Sequence, residues 1–215
     1  YCFPGEPVHE ERITFQNLSE YENVDFQGFR GDIYVKEAVI PEGASIIPKS
    51  QFFGCRSLEK VYLPESVSVI EDYAFADCHE LKVWESIEKL SLKSVGISAF
   101  ENCYALEFIS LPDSLTVIEG AAFAGCVSVN KLIFSDTSLL KKIGDHAFRG
   151  CRNLKEVYLP DSVEYVGISA FRDCVSLEQI SVSEKIKDQP GIAELEKNCP
   201  NARIRFREVN SVEKE

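Results

Sequence analysis

The chain has 215 residues, 45% of them hydrophobic, with a formal net charge of −12 and a pI near 4.8. That content supports one continuous buried core, and the acidic balance argues against nucleic acid or an anionic membrane as partner. No stretch approaches the ~20 apolar residues that a spanning helix needs, so no membrane insertion is expected.

The chain starts at Tyr1 without a Met, which reads as a mature or trimmed fragment. Residues 1–16 are expected to form an N-terminal cap, with Ile13 and Phe15 alternating like a short strand. From residue 17 to 185 the sequence repeats. Cys55, Cys78, Cys103, Cys126, Cys151, Cys174 and Cys199 follow one another at alternating intervals of 23 and 25 residues. A period in the twenties is the mark of a solenoid. Around each cysteine the same residue types recur. Phe75, Phe100, Phe123, Phe148 and Phe171 stand three residues before a cysteine, each preceded by Ala. Leu58, Leu81, Leu106, Val129, Leu154 and Leu177 stand three after it, and Val61, Trp84, Ile109, Leu132, Val157 and Ile180 six after it. Ile47, Ile70, Val95, Ile118, Ile143 and Val166 stand eight before it. Columns of like apolar residues at fixed phase are what stacked coils require, since no coil buries its core alone. Upstream, Phe29-Arg30-Gly31-Asp32 keeps phase as a copy without cysteine.

Within a coil, Leu58 to Leu63 reads as a strand that ends at Pro64, because proline cannot donate to a ladder. Val67 to Ile70 reads as a second short strand or as extended chain, and Ala-Phe-x-x-Cys as a tight helical turn on the opposite side. Gly96, Gly144 and Gly167 follow the second segment and are expected to turn the chain. Over a double period of 48 residues, Leu63-Pro64, Leu111-Pro112 and Leu159-Pro160 coincide, each followed by an acidic residue and Ser. The intervening coils lack the Pro and carry two extra residues there, a pattern of duplicated two-coil units.

Residues 186–207 are expected to close the core. Pro190 to Asn198 reads as a short helix with Ile192 and Leu195 on one side, and Ala202 to Arg207 alternates as a half-buried strand. The tail 208–215 is polar and expected to fray.

Cysteines in one solenoid column point side by side, so the column reads as a ladder of buried, reduced thiols rather than a disulfide framework. Cys2 lies outside it. No closely spaced cysteine pair with a local His points to zinc, and His9, His79 and His146 share no spacing with acidic or cysteine partners. Neither a metal nor a cofactor is expected. No phosphate loop, dinucleotide fingerprint or nucleophile elbow occurs, so the expectation is a protein that is not an enzyme.

The unit Leu-x-x-Val-x-Leu-Pro-x-Ser-Val-x-x-Ile-x-x-x-Ala-Phe-x-x-Cys, nearly complete at Leu58–Cys78 and Leu154–Cys174, resembles the BspA-type leucine-rich repeat family. The resemblance covers about residues 20 to 185. It implies a leucine-rich-repeat solenoid, a right-handed coil with a parallel β-sheet on its concave face. Short turns, 3-10 or one-turn helices and extended segments are expected elsewhere, with little α-helix beyond the C-terminal cap. It also implies a bacterial protein, secreted or on the cell surface, that adheres to or binds host or matrix proteins. In the general leucine-rich pattern the Asn or Cys follows the strand, whereas these cysteines precede it, so the Asn-ladder role is not carried over.

Alternation along each strand exposes the residues five and seven after the cysteine: Lys60 and Tyr62, Val83 and Glu85, Phe108 and Ser110, Lys131 and Ile133, Glu156 and Tyr158, Gln179 and Ser181. The apolar members form a candidate interaction stripe. Tyr62, Phe108 and Tyr158 lie in the Pro-bearing coils and are expected to stand two strands apart on one face, with Val83 and Ile133 between them. Glu85 and Glu156 would favour basic groups on the partner. The expected function is protein binding by a monomer through this face. An intracellular scaffold and a spacer between other domains are the alternatives.

Overall fold

A computed structural model describes residues 11–14, 29–85 and 90–208, with backbone only for 83–85. The described residues hold short parallel strands that alternate between two sides of each coil. They are β1 (Arg12–Thr14), β2 (Glu37–Val39), β3 (Ile46–Ile47), β4 (Lys60–Tyr62), β5 (Val69–Ile70), β6 (Val83–Glu85), β7 (Ser94–Val95) and β8 (Phe108–Ser110). They continue as β9 (Val117–Ile118), β10 (Lys131–Ile133), β11 (Lys142–Ile143), β12 (Glu156–Tyr158), β13 (Tyr165–Val166), β14 (Gln179–Ser183) and β15 (Arg203–Arg207).

The segment around Val69–Ile70 is a true strand. Its copies pair in the order β3-β5-β7-β9-β11-β13 as an unbroken six-stranded sheet. The first strands of the coils, by contrast, form two sheets, β1-β2-β4-β6 and β8-β10-β12-β14-β15. Between β10 and β12 only Lys131 and Glu156 register. The break after β6 and the thin pairing after β10 both fall at strands whose coils carry the two extra residues. The insertion therefore disturbs the first sheet and leaves the second intact.

Central residues of the first strands (Ala38, Val61, Ile109, Val157, Ile180) face Ile47, Ile70, Val95, Ile118, Ile143 and Val166 of the second across one core, all at most 1% exposed. Phe29, Phe52, Phe75, Phe100, Phe123, Phe148 and Phe171 run through that core as a continuous stack. Their ring centroids are 5.1 to 5.7 Å apart and their planes lie within 18° of parallel. Phe29 thereby brings the cysteine-free copy into the column. Asp32, in the cysteine's place, accepts from the Tyr34 and Val35 amides instead.

The Ala-Phe-x-x-Cys segment is not a helical turn. It is a run of β-turns with two columns of left-handed residues. One comprises Ser50, Tyr73, Ser98, Ala121, His146 and Ser169; the other comprises Gly54, Asp77, Asn102, Gly125, Gly150 and Asp173. The reason is hydrogen bonding. In a helix every N–H points along its own segment. Here alternate N–H groups close turns inside the coil (Ala74 to Glu71, Ala76 to Tyr73, Cys78 to Phe75). The others reach the next coil (Tyr73 to Ile97, Phe75 to Ala99, Asp77 to Glu101). The arch is thus knitted to its neighbour like a third ladder.

Gly96, Gly144 and Gly167 do not turn the chain through a left-handed conformation. They are needed for close approach. A Cβ on Gly144 would lie 2.5 Å from the Gly120 nitrogen, and one on Gly96 would lie 2.6 Å from the Asp72 nitrogen. Ser66, Ser114 and Ser162 of the Leu-Pro units donate to Ala44, Leu92 and Leu140 carbonyls, so the double period also ties each Pro-bearing coil to the coil before it.

At the C-terminal end a 3-10 turn (Glu184–Ile186), capped by the Ser183 hydroxyl, leads to two single-turn helices, α1 (Pro190–Ala193) and α2 (Leu195–Asn198). They divide at Glu194, whose carboxylate accepts from the amide and hydroxyl of Ser169 and from Asn198. Ile192 and Leu195 are buried, and β15 then pairs along its full length with β14.

Phe123 has a stacked ring on both sides and no exposed surface. Phe123→Ala is expected to cost roughly 3–5 kcal/mol in denaturant unfolding. Gly144→Ala is expected to lower the melting temperature because the added methyl meets backbone rather than a flexible side chain. A parent-like melt for either variant would contradict this packing.

Candidate interaction face

Outward positions on the first strands fall into two rows. Strand register puts Arg12, Glu37, Lys60 and Val83 in one row of the four-stranded sheet, and Thr14, Val39, Tyr62 and Glu85 in the other. On the five-stranded sheet the rows are Phe108, Lys131, Glu156, Gln179, Arg203 and Ser110, Ile133, Tyr158, Ser181, Arg205.

This placement separates residues that the sequence groups together. Tyr62 is on the four-stranded sheet, whereas Phe108 and Tyr158 are on the five-stranded one. Phe108 also opens its strand while Tyr158 closes its own, so the two rings stand in different rows. Tyr62 is half-buried, with the Arg12 guanidinium 5.4 Å from its ring centre. Phe108, Ile133 and Tyr158 are 44%, 37% and 49% exposed and lie on three adjoining strands, β8, β10 and β12. Glu156 is beside them. The Tyr158 hydroxyl donates to its carboxylate at 3.3 Å and accepts from the Gln179 amide at 2.9 Å, which fixes the ring. The backbones of Val83 and Glu85 pair with Lys60 and Tyr62; their side chains are outside the described residues.

Charge is handled differently on the two sheets. On and beside the four-stranded one, Glu11 bonds Lys36 at 2.8 Å, Arg12 bonds Glu37 at 2.8 Å, and Glu59 bonds Lys82 at 2.9 Å. Coil-to-coil ion pairs of this kind lower the Glu59 pKa and raise those of Lys36 and Lys82, chiefly through the shared hydrogen bond. On the five-stranded sheet, Lys131, Arg203 and Arg205 are exposed and no described carboxylate forms an ion pair with them. Only Arg207 of that edge is engaged, by Asp161 at 2.9 Å and the Leu159 carbonyl. The two free arginines of β15 escaped the sequence reading, which treated that strand as a cap. Their period-two spacing in Arg203-Ile204-Arg205 is the signal that puts them on the outward face.

The cysteine column is buried behind these sheets. All seven described thiols are free, and each donates to the carbonyl of the phenylalanine one coil back, from Cys55 to Phe29 at 2.9 Å through Cys199 to Phe171 at 3.1 Å. The cysteine is therefore a rung donor as well as a small apolar filler. Burial pushes the Cys55 and Cys126 thiols up to about 12 and Cys199 to about 11. Cys78, Cys103 and Cys151 are raised for the same reason, which makes the column unreactive. Among the described residues no group of three or more His, Cys, Asp or Glu is placed to hold a metal ion, and no helix is long and apolar enough to cross a membrane.

The model of the BspA-type leucine-rich repeat region matches residues 1–129 and 83–193, in six copies. The chain belongs to that family. It is similar in structure to a leucine-rich repeat protein from Bacteroides ovatus ATCC 8483, with a TM-score of 0.59, 21% identity and 93% of this chain covered. The T. pallidum leucine-rich repeat protein gives 0.52 at 27% identity over 82% of this chain. The pneumococcal vaccine antigen PcpA gives 0.53 at 28% identity over 71%. The chain spans 65%, 74% and 37% of those proteins respectively, so it matches just under two thirds of the first. No curated protein matches the sequence. The family and fold are those of repeat proteins that serve as interaction modules.

A buried thiol whose folded pKa exceeds its unfolded value stabilises the fold fully below the unfolded value, and that contribution is lost as pH rises through the folded one. For this column the window runs from the ordinary 9.0 to about 12. Thiolate absorbance followed against pH is expected to appear only as the protein unfolds within that window. At about pH 8 a thiol reagent should leave the seven thiols of the folded protein unlabelled and reach all of them after denaturation without reductant. Rapid labelling of the folded column would contradict the ladder.

Proposed function

We propose that the chain is a non-enzymatic module that binds protein, as a monomer, through the outward face of the first-strand sheets. The observation that carries the reading is the run of exposed apolar side chains Phe108, Ile133 and Tyr158 on three adjoining strands, where a solvated sheet face would be polar. Aromatic rings in such positions commonly dominate an interface. Tyr158 is held by hydrogen bonds on both sides, so little freedom is lost on binding. Tyr62, Val83, Glu85 and Glu156 extend the contact surface around this centre.

The setting is proposed to be extracellular, secreted or at a bacterial cell surface, with adhesion as the broader role. Family membership supports this, as does the similarity to a pneumococcal protein described as a vaccine antigen.

The double variant Phe108→Ser/Tyr158→Ser removes two exposed rings and is expected to melt like the parent. Protein or peptide ligands selected on the parent should lose roughly tenfold or more in affinity for it. Full binding by the variant would move the site to the turns or the sheet edges. A lowered melting temperature would instead make the rings part of the scaffold.

A further inference from the structure

Resting on that reading, we infer that the five-stranded sheet takes an acidic, extended peptide segment, with an apolar side chain at the β8–β12 end and carboxylates at the β15 end. The outward face is bipolar. Phe108, Ile133 and Tyr158 form the apolar end, and the exposed Arg203 and Arg205 on β15 form the other. Lys131 adds a third cation between the apolar residues. The one carboxylate at the outward strand positions, Glu156, already receives the Tyr158 hydroxyl.

Two features make these cations a recognition element. The chain carries a net charge of −12, so three uncompensated cations on one sheet face run against its overall balance. Moreover, Arg12, Lys36 and Lys82 near the other sheet are all bonded to carboxylates of adjoining coils. Lys131 and Arg203 stand in the same kind of position, with Glu156 one strand from Lys131 and Gln179 one strand from Arg203. They form no ion pair among the described residues. A carboxylate partner would supply from outside what the neighbouring coil supplies at the other end. Arginine favours this because its planar fork accepts a carboxylate in two parallel bonds.

The spacing sets the length of the segment. Strands about 4.8 Å apart put Tyr158 about 10 Å, and Phe108 about 19 Å, from the β15 arginines. Extended chain covers about 3.3 Å per residue, so an apolar residue and the carboxylates would be separated by about three to six residues. An anionic polysaccharide would satisfy the arginines but leave the apolar end uncovered, which is why a peptide is favoured.

The test uses fluorescent peptides with Phe or Leu followed, about three to six residues on, by paired Asp or Glu. A matched set has Lys in place of the acids, and heparin serves as a polyanion control. The acidic set is expected to bind the parent at least roughly tenfold more tightly than the Lys set, and the Arg203→Gln/Arg205→Gln variant is expected to lose that preference while melting like the parent. Equal or better binding of the Lys set overturns the inference. The protein-binding reading still survives that result if Phe108→Ser/Tyr158→Ser abolishes the binding. Acidic peptides bound equally by the arginine variant, heparin bound while the peptides are not, or no peptide bound at all would each overturn the inference.

Discussion

Each coil of this protein leaves backbone groups in its arch that only another coil can satisfy. The carbonyl of every core phenylalanine from Phe52 to Phe171 accepts the amide of the cysteine three residues on, within the same coil, and the thiol of the next coil's cysteine. At Phe75 these donors are Cys78 and Cys103. Both lone pairs of a buried carbonyl are thus used, and leaving one unmet inside an apolar core would be costly. Around this rung the other arch amides alternate between their own turn and the next coil, and the phenylalanine rings stack above one another. Cysteine suits the site because it is small, apolar enough to be buried and still a weak donor.

That constraint decides where the chain can vary. Extra residues are excluded from the arch, where a shift would break the thiol rung, the ring stack and the amide ladder at once. They appear between the two strands of alternate coils, and there the cost is borne by the first sheet, which is split after β6 and thinned after β10. Close approach of successive coils imposes a second restriction. Gly96 and Gly144 are glycines because the preceding coil's backbone occupies the space of a Cβ. The split also divides the outward surface into two faces. One closes its charges against itself through Arg12–Glu37 and Lys82–Glu59, and the other leaves cations open beside exposed rings.

The repeat, the columns of inward residues, the first strand of each coil and the burial of the cysteines were legible in the sequence. Each is a consequence of spacing alone: equal phase places equal residues on top of one another. Some of the local structure was not legible. Ala-Phe-x-x-Cys has a helix-like spacing of apolar residues, yet it folds as turns because half its amides are recruited by the neighbouring coil, a demand that no single repeat displays. Gly96 reads as a turn signal but answers to a contact 24 residues away, with Asp72. The hydrogen bond from each thiol likewise joins residues 26 or 28 apart.

The candidate face shows the same division. Alternation along each strand is local, so it identifies Phe108, Ile133 and Tyr158 as outward, and the structure finds them exposed. Which outward residues share a surface depends on strand pairing between coils, and that is a tertiary property. The break after β6 separates Tyr62 from Phe108 and Tyr158, and the pairing of β15 with β14 brings Arg203 and Arg205 onto the same sheet as the exposed rings. The sequence by itself determined the solenoid and the direction of each side chain, because both follow from period and parity. Only the tertiary structure decided the grouping of those side chains into faces and the pairing of their charges, because both depend on hydrogen bonds between coils.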